Sequence, residues 1–428
     1  MFTLITVVIC ILLMILSFIF FPKVKLGKIS FDTYYLITLL GAIILVLFNK
    51  VPFDEIGGIF FSDSGMNPVK IITLFLSMAL LSIFLDKLGF FKYLAVKAAM
   101  KFKSNQKALF LSLFILISAL TVFTSNDIII LTFTPFICYF CKNTKINPIP
   151  YLIGEFFAAN TLSMTLLIGN PTNIYIASNA GITFIEYFNK MFIIGFATAI
   201  LLCILLLIVF KKSLSEELQE VHEESRISSK FLLIVGLIHL LGCTFIMAIS
   251  SYINIEMHLV SLGFAISLII ITIIYNLINK SKESLIINAV KELPYAFIPF
   301  LLSMVVLING LSRTNYIETL SNLLLEINSP VTYGVSSLLL GNLLNNIPMS
   351  ILFSEIFSTT VVSTNSIYSV IAASNLCALL TPIGSLAGMM FISLVKQQNV
   401  NFTFLKFIKY GFIDIILIIF TLLLIILL

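Results

Sequence analysis

Long apolar runs dominate this sequence and restrict the folds open to it. Runs long enough to span a membrane come in two sets of five. They lie near residues 2–22, 34–49, 70–88, 148–178 and 191–210, and near 231–250, 258–279, 294–310, 368–394 and 408–428. A helix needs about 20 apolar residues to cross the hydrocarbon core. The pattern therefore predicts an all-α polytopic membrane protein.

Composition supports this class and argues against several others. Of the 428 residues, 60% are hydrophobic and 11% are charged, and the net charge is +5. This modest charge gives no reason to expect a nucleic-acid partner. The six cysteines lie in or beside apolar runs, so no disulfide framework is expected. Residues 2–22 lack a basic leader and a cleavage site, which predicts a retained first span.

One apolar run contains residues that break helices. Residues 159–173 contain the sequence Gly-Asn-Pro-Thr-Asn at positions 169–173. Glycine lacks a Cβ, and proline removes an N–H group and clashes with the preceding turn. Open backbone at membrane depth is tolerated only where it is buried in protein or lines a cavity. Secondary transporters bind ions and substrates at such broken helices.

The same pattern returns 215 residues downstream. Asn375 precedes Gly384 by nine residues, just as Asn160 precedes Gly169. About 30 residues before each break, a short polar segment interrupts an apolar stretch, at 124–127 in the first half and at 342–348 in the second. Recurring features in one order indicate a duplicated unit. We predict repeats at 1–210 and 231–428, joined by a cytoplasmic linker at 211–230.

These short polar segments interrupt the stretches 106–141 and 329–361 near their middle. Half of such a stretch, about 16 residues, makes only about 24 Å of helix, which is short for a crossing. We therefore predict two re-entrant hairpins, with interfacial helices at 91–103 and 311–327 leading into them. Five crossings per repeat is an odd number, so the second repeat is predicted to be inverted.

The basic residues predict the orientation. With the N-terminus outside, 21 of the 25 lysines and arginines fall in cytoplasmic segments, as the positive-inside rule requires. The C-terminus is then outside as well. The four basic residues left outside are Lys50, Lys70, Lys190 and Arg313.

Asp127 is the most informative single residue. A carboxylate at this depth costs about 2.5–3.5 kcal/mol on insertion scales, so such residues usually face a water-filled cavity. Neighbouring hydroxyl and amide oxygens suit a small cation, while Asp127 could instead carry a proton. The alternative is an N-cap on the second helix of the hairpin. Glu155, five residues before Asn160, is the second candidate for proton or cation coupling.

The two breaks and the two hairpin tips are predicted to meet at one site. Helices that start after a break direct free N–H groups at its centre, where they favour an oxyanion or a polar neutral ligand. The alternative is polar packing between helices. The predicted site residues are Ser125, Asn126, Asp127, Asn160, Gly169, Asn170, Thr172, Asn173, Asn345, Asn346, Asn375, Thr381, Gly384 and Ser385.

The remaining candidates are assigned weaker roles. Cys138 and Cys141 have no second pair or histidine nearby in sequence, so packing is favoured over metal binding. Cys377 could touch a thiophilic substrate. His239 and Asp414 are expected to pair locally or lie near an interface. The sequence carries no P-loop, nucleophile elbow or His-Glu-x-x-His motif. We therefore expect no catalytic residues, metal or cofactor beyond a coupling ion.

Four motifs resemble the ion transporter superfamily that contains the arsenite and antimonite efflux permeases, Na⁺/H⁺ antiporters and divalent-anion/Na⁺ symporters. Residues 124–135 resemble the Ala-Asn-Asp segment that runs into Leu-Thr-Pro, and residues 345–348 resemble Asn-Asn-Met-Pro. Residues 380–387 are similar to Thr-Pro-Ile-Gly-Ser-Leu-Ala. Residues 168–173 are similar to the Gly-Asn-Pro-x-Asn of related permeases. The resemblance spans essentially the whole chain.

This resemblance implies an inverted-repeat fold with two hairpins, a homodimer, and an elevator-like movement of the binding unit across a scaffold. Dicarboxylate symporters of the superfamily resemble one another in carrying Ser-Asn-Thr at both tips, whereas residues 125–127 here read Ser-Asn-Asp. Asp127 would repel a dianion. Arsenite permeases commonly have Asp at the position that matches Asn160, so one acidic group is missing here.

We therefore predict a secondary active transporter of the bacterial inner membrane. It would move an inorganic oxyanion or its neutral acid, arsenite-like, coupled to protons. The alternatives are a Na⁺-coupled symporter of di- or tricarboxylates or other anions and a Na⁺/H⁺ antiporter. From other classes, a channel would need a continuous pore, and an intramembrane enzyme would need a nucleophile or a metal constellation.

Overall fold

The chain folds almost entirely into helices. A computed structural model describes residues 1–21, 23–26, 29–61, 67–101, 105–215, 226–250, 252–279 and 285–428. Residues 216–225 of the predicted linker thus lie outside the described residues, and the repeat boundaries stay a prediction. The first helices are α1 (Phe2–Phe20), α2 (Thr33–Leu47), α3 (Ile56–Phe61), α4 (Pro68–Lys87), α5 (Phe90–Lys101), α6 (Gln106–Phe123), α7 (Asn126–Thr144), α8 (Ile149–Leu162), α9 (Pro171–Asn179) and α10 (Phe184–Val209).

The second group of helices follows the order of the first, although helix lengths differ and two helices stand at its end in place of one. It consists of α11 (Lys230–Ile249), α12 (Met257–Ile278), α13 (Leu285–Lys291), α14 (Phe297–Ser312), α15 (Asn315–Ile327), α16 (Pro330–Leu344), α17 (Asn346–Thr359), α18 (Thr364–Leu380), α19 (Leu386–Gln397), α20 (Phe404–Gly411) and α21 (Ile413–Leu427). A two-stranded antiparallel hairpin, β1 (Lys23–Leu26) and β2 (Ile29–Asp32), joins α1 to α2. Short 3₁₀ turns occur at Phe53–Glu55, Leu167–Gly169, Ser213–Ser215 and Pro382–Gly384.

The prediction of a helical membrane protein is confirmed. Within the described ranges, six helices are long and apolar enough to cross a membrane, and a seventh span arises if α14 and α15, bent by 82°, are taken together. Four shorter apolar helices accompany them. One of the six is α6, which the sequence places in a hairpin. Interfacial helices were predicted at 91–103 and 311–327, and α5 and α15 occupy these positions.

The start of α10 differs from the apolar run that predicted it near 191. The helix begins at Phe184 because Thr183 and Glu186 form a capping box. The Glu186 carboxylate accepts a hydrogen bond from the Thr183 N–H at 2.8 Å, and the Thr183 hydroxyl accepts one from the Glu186 N–H at 3.3 Å. Glu186, Asn189 and Lys190 interrupt the apolar run in the first turns, and the cap satisfies the free N–H groups at the start of the helix.

Three contacts with α8 show that α6 and α7 form a hairpin. Near the start of α8, the Tyr151 hydroxyl donates to Gln106 Oε1 at 3.1 Å, at the start of α6. At the end of α8, Asn160 Oδ1 accepts from Asn126 Nδ2 at 3.0 Å, at the start of α7. Midway, Thr134 Oγ1 of α7 donates to a carboxylate oxygen of α8 at 2.8 Å. The tip therefore lies beside the end of α8, and α7 runs back toward its start.

The second hairpin has the same form. Tyr333, near the start of α16, packs against Phe353 and Phe357, near the end of α17, with ring centroids 6.4 Å and 5.9 Å apart. The two arms are therefore antiparallel. Asn345 at the tip has a φ of +81°, a positive value that residues with a Cβ rarely adopt. The predicted hairpin at 329–361 corresponds to α16 and α17.

Helix packing is duplicated between the two halves. α2 packs against α14 as α12 packs against α4, and α6 packs against α8 as α16 packs against α18. The hairpins contact the opposite broken helices, since α7 packs against α19 and α17 against α9. These paired contacts are what a duplicated unit would produce. The inverted membrane orientation of the second repeat stays a prediction.

Two glycines allow the breaks to close on themselves. A Cβ added to Gly169 would lie 2.2 Å from the carbonyl oxygen of Ser163, and one added to Gly384 would lie 2.4 Å from that of Cys377. Both neighbours are backbone atoms, so they cannot rotate away. The Asn-to-Gly spacing noted in the sequence therefore reflects a turn in which the chain folds back to within contact of its own helix.

We expect Gly169→Ala and Gly384→Ala each to lower stability by about 1–3 kcal/mol, because the added methyl group overpacks against backbone. Thermal unfolding in detergent would measure this loss. Gly263→Ala is the matched control, since a Cβ there meets nothing within 4 Å. Equal melting temperatures for the three variants would contradict this account of the breaks.

Candidate functional site

Four helices begin at the centre of the molecule, and each is capped by a polar side chain. The caps are Ser125 for α7, Asn170 for α9, Asn345 for α17 and Ser385 for α19. Each accepts a hydrogen bond from a backbone N–H two or three residues later, at 3.0–3.4 Å. Helix N-termini carry partial positive charge, so their convergence suits a ligand that offers oxygen atoms.

Asn375 joins the two broken helices. Its Oδ1 accepts hydrogen bonds from Ser163 Oγ at 2.8 Å and from Asn170 Nδ2 at 3.0 Å. Its Nδ2 donates to Asn173 Oδ1 at 2.7 Å and to the carbonyl of Ile371 at 2.8 Å. The side chain is fully buried. Every polar atom of this amide is thus satisfied by the two breaks, which fixes their relative position.

The hairpin tips are tied to the breaks by similar bonds. In the second half, Asn346 Nδ2 donates to the carbonyl of Ser374 at 3.2 Å, and Asn345 Nδ2 donates to that of Ile383 at 3.0 Å. The Ser374 hydroxyl also lies 3.0 Å from that of Thr172. In the first half, the bond between Asn126 and Asn160 ties the hairpin tip to the helix that precedes the first break. The hairpin tips and the breaks therefore lie together, as the sequence predicts.

A cavity of about 440 Å³ lies against these four helix starts. It extends to exposed Lys23, Glu292 and Gln397 at one end of the molecule. Of the described residues that line it, Lys23 is the sole lysine or arginine. The predicted site residues on its wall are Ser125, Asn126, Asp127, Asn170, Asn346 and Ser385.

The other predicted site residues lie behind this wall. Asn160, Asn173 and Asn375 are completely buried. Asn160 bonds Asn126 on the wall, Asn375 bonds Asn170 on the wall, and Asn173 bonds Asn375. Thr172 bonds across to the second half. Thr381 donates to Asn342 Oδ1 at 2.7 Å. Gly169 and Gly384 allow the close turns. The sequence prediction therefore combined residues that face the cavity with residues that position them.

Glu155 lies in α8, away from the cavity wall. Its side chain is 1% exposed. One carboxyl oxygen accepts from Thr134 Oγ1 at 2.8 Å, and the other has no hydrogen-bond partner among the described residues. Both predicted coupling groups are thus connected to α7, because Asp127 belongs to this helix and Glu155 bonds its Thr134.

Sequence reasoning missed three positioning residues, Ser163, Ser374 and Asn342. Ser163 donates to Asn375, Ser374 bonds Thr172, and Asn342 accepts from Thr381. Two of them are small hydroxyl residues inside apolar runs, and such residues usually serve as helix packing. The one available signal was their position, since Ser163 is three residues after Asn160 and Ser374 directly precedes Asn375.

The weaker candidates take no part in the wall. Cys377 Sγ lies 3.4 Å from the carbonyl oxygens of Ser374 and Gly384, beneath the second break. His239 pairs locally with the carbonyl of Val235 and the hydroxyl of Ser267, as expected. Asp414 differs from the expectation of local pairing, because within the described ranges neither carboxyl oxygen has a hydrogen-bond partner.

Comparison with known proteins identifies relatives along most of the chain. The family model described as "Citrate transporter" matches residues 5–366. A "46 kDa membrane protein" of Mycobacterium leprae is 24% identical over 397 residues, covering 88% of this chain and 89% of that protein. An "Arsenical pump membrane protein" of Escherichia coli is 25% identical over 361 residues, covering 79% of this chain and 81% of that protein.

The fold is also similar to a solved structure. The crystal structure of the Alcanivorax borkumensis YdaH transporter, described as having an unusual topology, superposes with a TM-score of 0.54. The alignment covers 99% of this chain and 97% of that one, at 13% sequence identity. At this identity the likeness concerns the arrangement of helices alone.

We expect Asn375→Ala to destabilise the protein by about 2 kcal/mol or more, because it leaves the buried Nδ2 of Asn170 and Oδ1 of Asn173 without the partner they have in Asn375. Thermal unfolding in detergent would measure the effect. Asn315→Ala, at an exposed position of α15, is the control. If both variants melt at the same temperature, Asn375 is not the residue that holds the breaks together.

Proposed function

Because the chain belongs to the citrate transporter family, we propose that it is a secondary active transporter. Its substrate would be a neutral or weakly charged oxyacid, arsenite-like, and its transport would be coupled to protons. The observation that carries this proposal is the part of the cavity wall formed by the four helix starts, where amide and hydroxyl groups surround one carboxylate, Asp127.

The charges of the cavity support a neutral substrate. Asp32, Asp127 and Glu292 line it, but Asp32 is paired with Lys23 and Glu292 with Lys87, which leaves Asp127 as the carboxylate of the described lining without an ion pair. Like charges close together in a region of low dielectric repel strongly. A multiply charged anion would meet this repulsion without a buried cation to offset it. A neutral oxyacid needs only hydrogen-bonding partners, and the amides of Asn126 and Asn346 supply both donors and acceptors.

Two carboxyl groups support coupling to protons. Asp127 faces the cavity, and Glu155 lies behind it with one oxygen unpartnered within the described structure. A buried carboxylate is costly unless it is paired or takes up a proton. Both groups contact or belong to α7. We infer that protonation of these groups accompanies substrate binding and release.

The packing supports a moving unit and a fixed frame. The hairpins, the broken helices, α10 and α21 contact one another extensively, while α1, α2, α4, α11, α12 and α14 form a second group. We propose that the first group carries the site across the second, in the elevator-like manner that the family resemblance implies. The protein would lie in the bacterial inner membrane as a homodimer, with both termini outside.

A second function is favoured by the family description. Citrate or another di- or tricarboxylate, coupled to Na⁺, would use the same helix N-termini to bind carboxylate oxygens. A Na⁺/H⁺ antiporter is a third candidate, since Asp127 and its neighbouring hydroxyl and amide oxygens could hold Na⁺. A channel would conduct without a counter-ion gradient, so the dependence of flux on such a gradient separates it from all three.

The test is flux in proteoliposomes with an imposed pH or Na⁺ gradient. Arsenite, antimonite, phosphate, sulfate, succinate and citrate would be offered in turn. We expect uptake or efflux of a neutral oxyacid that depends on the pH gradient. Flux of a carboxylate driven by Na⁺ would instead favour the second candidate, and flux that ignores both gradients would contradict coupled transport.

We expect Asp127→Asn to reduce proton-driven flux at least about tenfold, since the amide has a similar shape but cannot exchange a proton. Glu155→Gln should do the same while keeping the bond from Thr134, because the amide oxygen can still accept it. Glu326→Gln on α15, an exposed position, is the control. Full proton-driven flux in Asp127→Asn would remove its coupling role.

A further inference from the structure

A group of exposed lysines lies at one end of the molecule, away from the cavity wall. They come from three separate segments, the end of α7, the residues after α10, and α20. We call this group the basic patch. Its members are Lys142, Lys145, Lys211, Lys212, Lys406 and Lys409. All six belong to segments that are predicted to be cytoplasmic.

Two contacts bring the three segments of the basic patch together. Asn147, which follows the end of α7, donates from Nδ2 to the hydroxyl of Ser213, which follows α10, at 3.3 Å. The rings of Phe210 and Tyr410 pack with their centroids 5.0 Å apart, which joins the end of α10 to α20. Each of these four residues lies within two positions of a patch lysine. The six lysines therefore share one surface.

The positive charge of the basic patch is not neutralised by the segments that form it. Residues 142–150, 205–215 and 399–412 contain no aspartate or glutamate. Within the described ranges, none of the six lysines forms an ion pair. Elsewhere a lysine can be paired, as Lys87 is with Glu292 at 2.6 Å. The patch therefore offers its charge to a partner outside these segments.

Exposed apolar side chains lie beside the lysines. Leu405 on α20 is 77% exposed, and Ile208 at the end of α10 is 66% exposed. α20 and α21 together form one apolar span of 24 residues, Phe404–Leu427. At about 1.5 Å per residue, this span is about 36 Å long, whereas the hydrocarbon core is about 30 Å thick. The first turns of α20 therefore reach the level of the lipid headgroups.

The partner that fits this surface has an anionic group next to an apolar chain. A phospholipid places its phosphate at the headgroup level and its acyl chains in the hydrocarbon, so it can contact the lysines and Leu405 at once. Residues 216–225 follow Lys212 in the sequence and contain five glutamates, but they contain only two large apolar residues, Leu218 and Val221. That segment would satisfy the charge and leave the apolar side chains uncovered.

We propose that the basic patch binds the headgroups of anionic phospholipids. The lysines attract the net negative charge, and α20 places Leu405 against the acyl chains of the same lipids. Zwitterionic lipids share the phosphate but carry no net charge, so the patch distinguishes the two classes. The proposal goes beyond the proposed transport function and does not depend on the substrate or the coupling ion.

The test uses the absence of tryptophan from the sequence, because a single introduced tryptophan then reports its own surroundings. Leu405→Trp places the reporter in the patch. Leu259→Trp is the matched control, since Leu259 is a 53% exposed apolar residue of a different spanning helix, α12. Each variant is reconstituted in vesicles of phosphatidylcholine and phosphatidylglycerol. Bromine, which quenches tryptophan fluorescence on contact, is carried on the acyl chains of one lipid or the other.

We expect brominated phosphatidylglycerol to quench the tryptophan at position 405 at least about twofold more than brominated phosphatidylcholine at the same mole fraction. At position 259 the two lipids should quench equally. The preference at position 405 should fall when the salt is raised to about 1 M, since salt screens exposed charges. Equal quenching by the two lipids at position 405 in low salt would overturn the proposal.

Lysine substitutions in the Leu405→Trp background then assign the preference to the patch. The patch variant combines one change from each segment, Lys142→Gln, Lys211→Gln and Lys409→Gln. The control variant changes three exposed lysines of other segments, Lys50→Gln, Lys230→Gln and Lys291→Gln. The patch variant should lose at least about half of the lipid preference, and the control variant should keep it. Equal preference in the two variants would overturn the assignment. The salt dependence needs no lysine substitution, so it tests the proposal even if the patch variant fails to fold.

Discussion

The structure depends on one requirement, that backbone opened at membrane depth must find hydrogen-bond partners within the protein. In the first break, Asn173 Nδ2 donates to the carbonyls of Ser163 and Leu166, and in the second break Asn345 Nδ2 donates to that of Ile383. Asn375 then joins the two breaks through side-chain bonds. Gly169 and Gly384 allow the turns to close without a Cβ in the way. The hairpin tips then complete the arrangement, which makes the polar centre both the structural core and the candidate site.

The charge balance follows from how that centre is built. Asn375 faces inward and all its side-chain polar atoms are satisfied, whereas a side chain that lines the cavity can keep an atom free for a ligand. Asn346 is such a case, because its Nδ2 bonds the carbonyl of Ser374 while its Oδ1 has no partner in the described part of the chain. We expect a site of this kind to distinguish ligands by hydrogen bonding more than by net charge. Asp127 is the charged residue among the predicted site residues on its wall.

Much of this fold could be predicted from sequence, because its strongest signals are local. Apolar runs predicted the helices, and the repeated Asn-to-Gly spacing predicted two breaks that meet. The start of α10 was placed too late because Glu186, Asn189 and Lys190 interrupt its apolar run, while a capping box begins the helix before them. The sequence could not separate Asn170 on the cavity wall from Asn173 behind it, since that difference depends on how each short helix is rotated. Ser163 and Ser374 were missed because a hydroxyl in an apolar run resembles ordinary packing.

The duplicated packing of the two halves bears on the direction of movement. Because both halves supply the same kinds of elements to the site, forms facing the two sides of the membrane would be built from equivalent contacts. Two forms separated by only a few kcal/mol both remain populated. Such a protein would act as a reversible carrier, in which the sign of the ion gradient, and not the chain itself, decides whether the cell imports or expels its substrate.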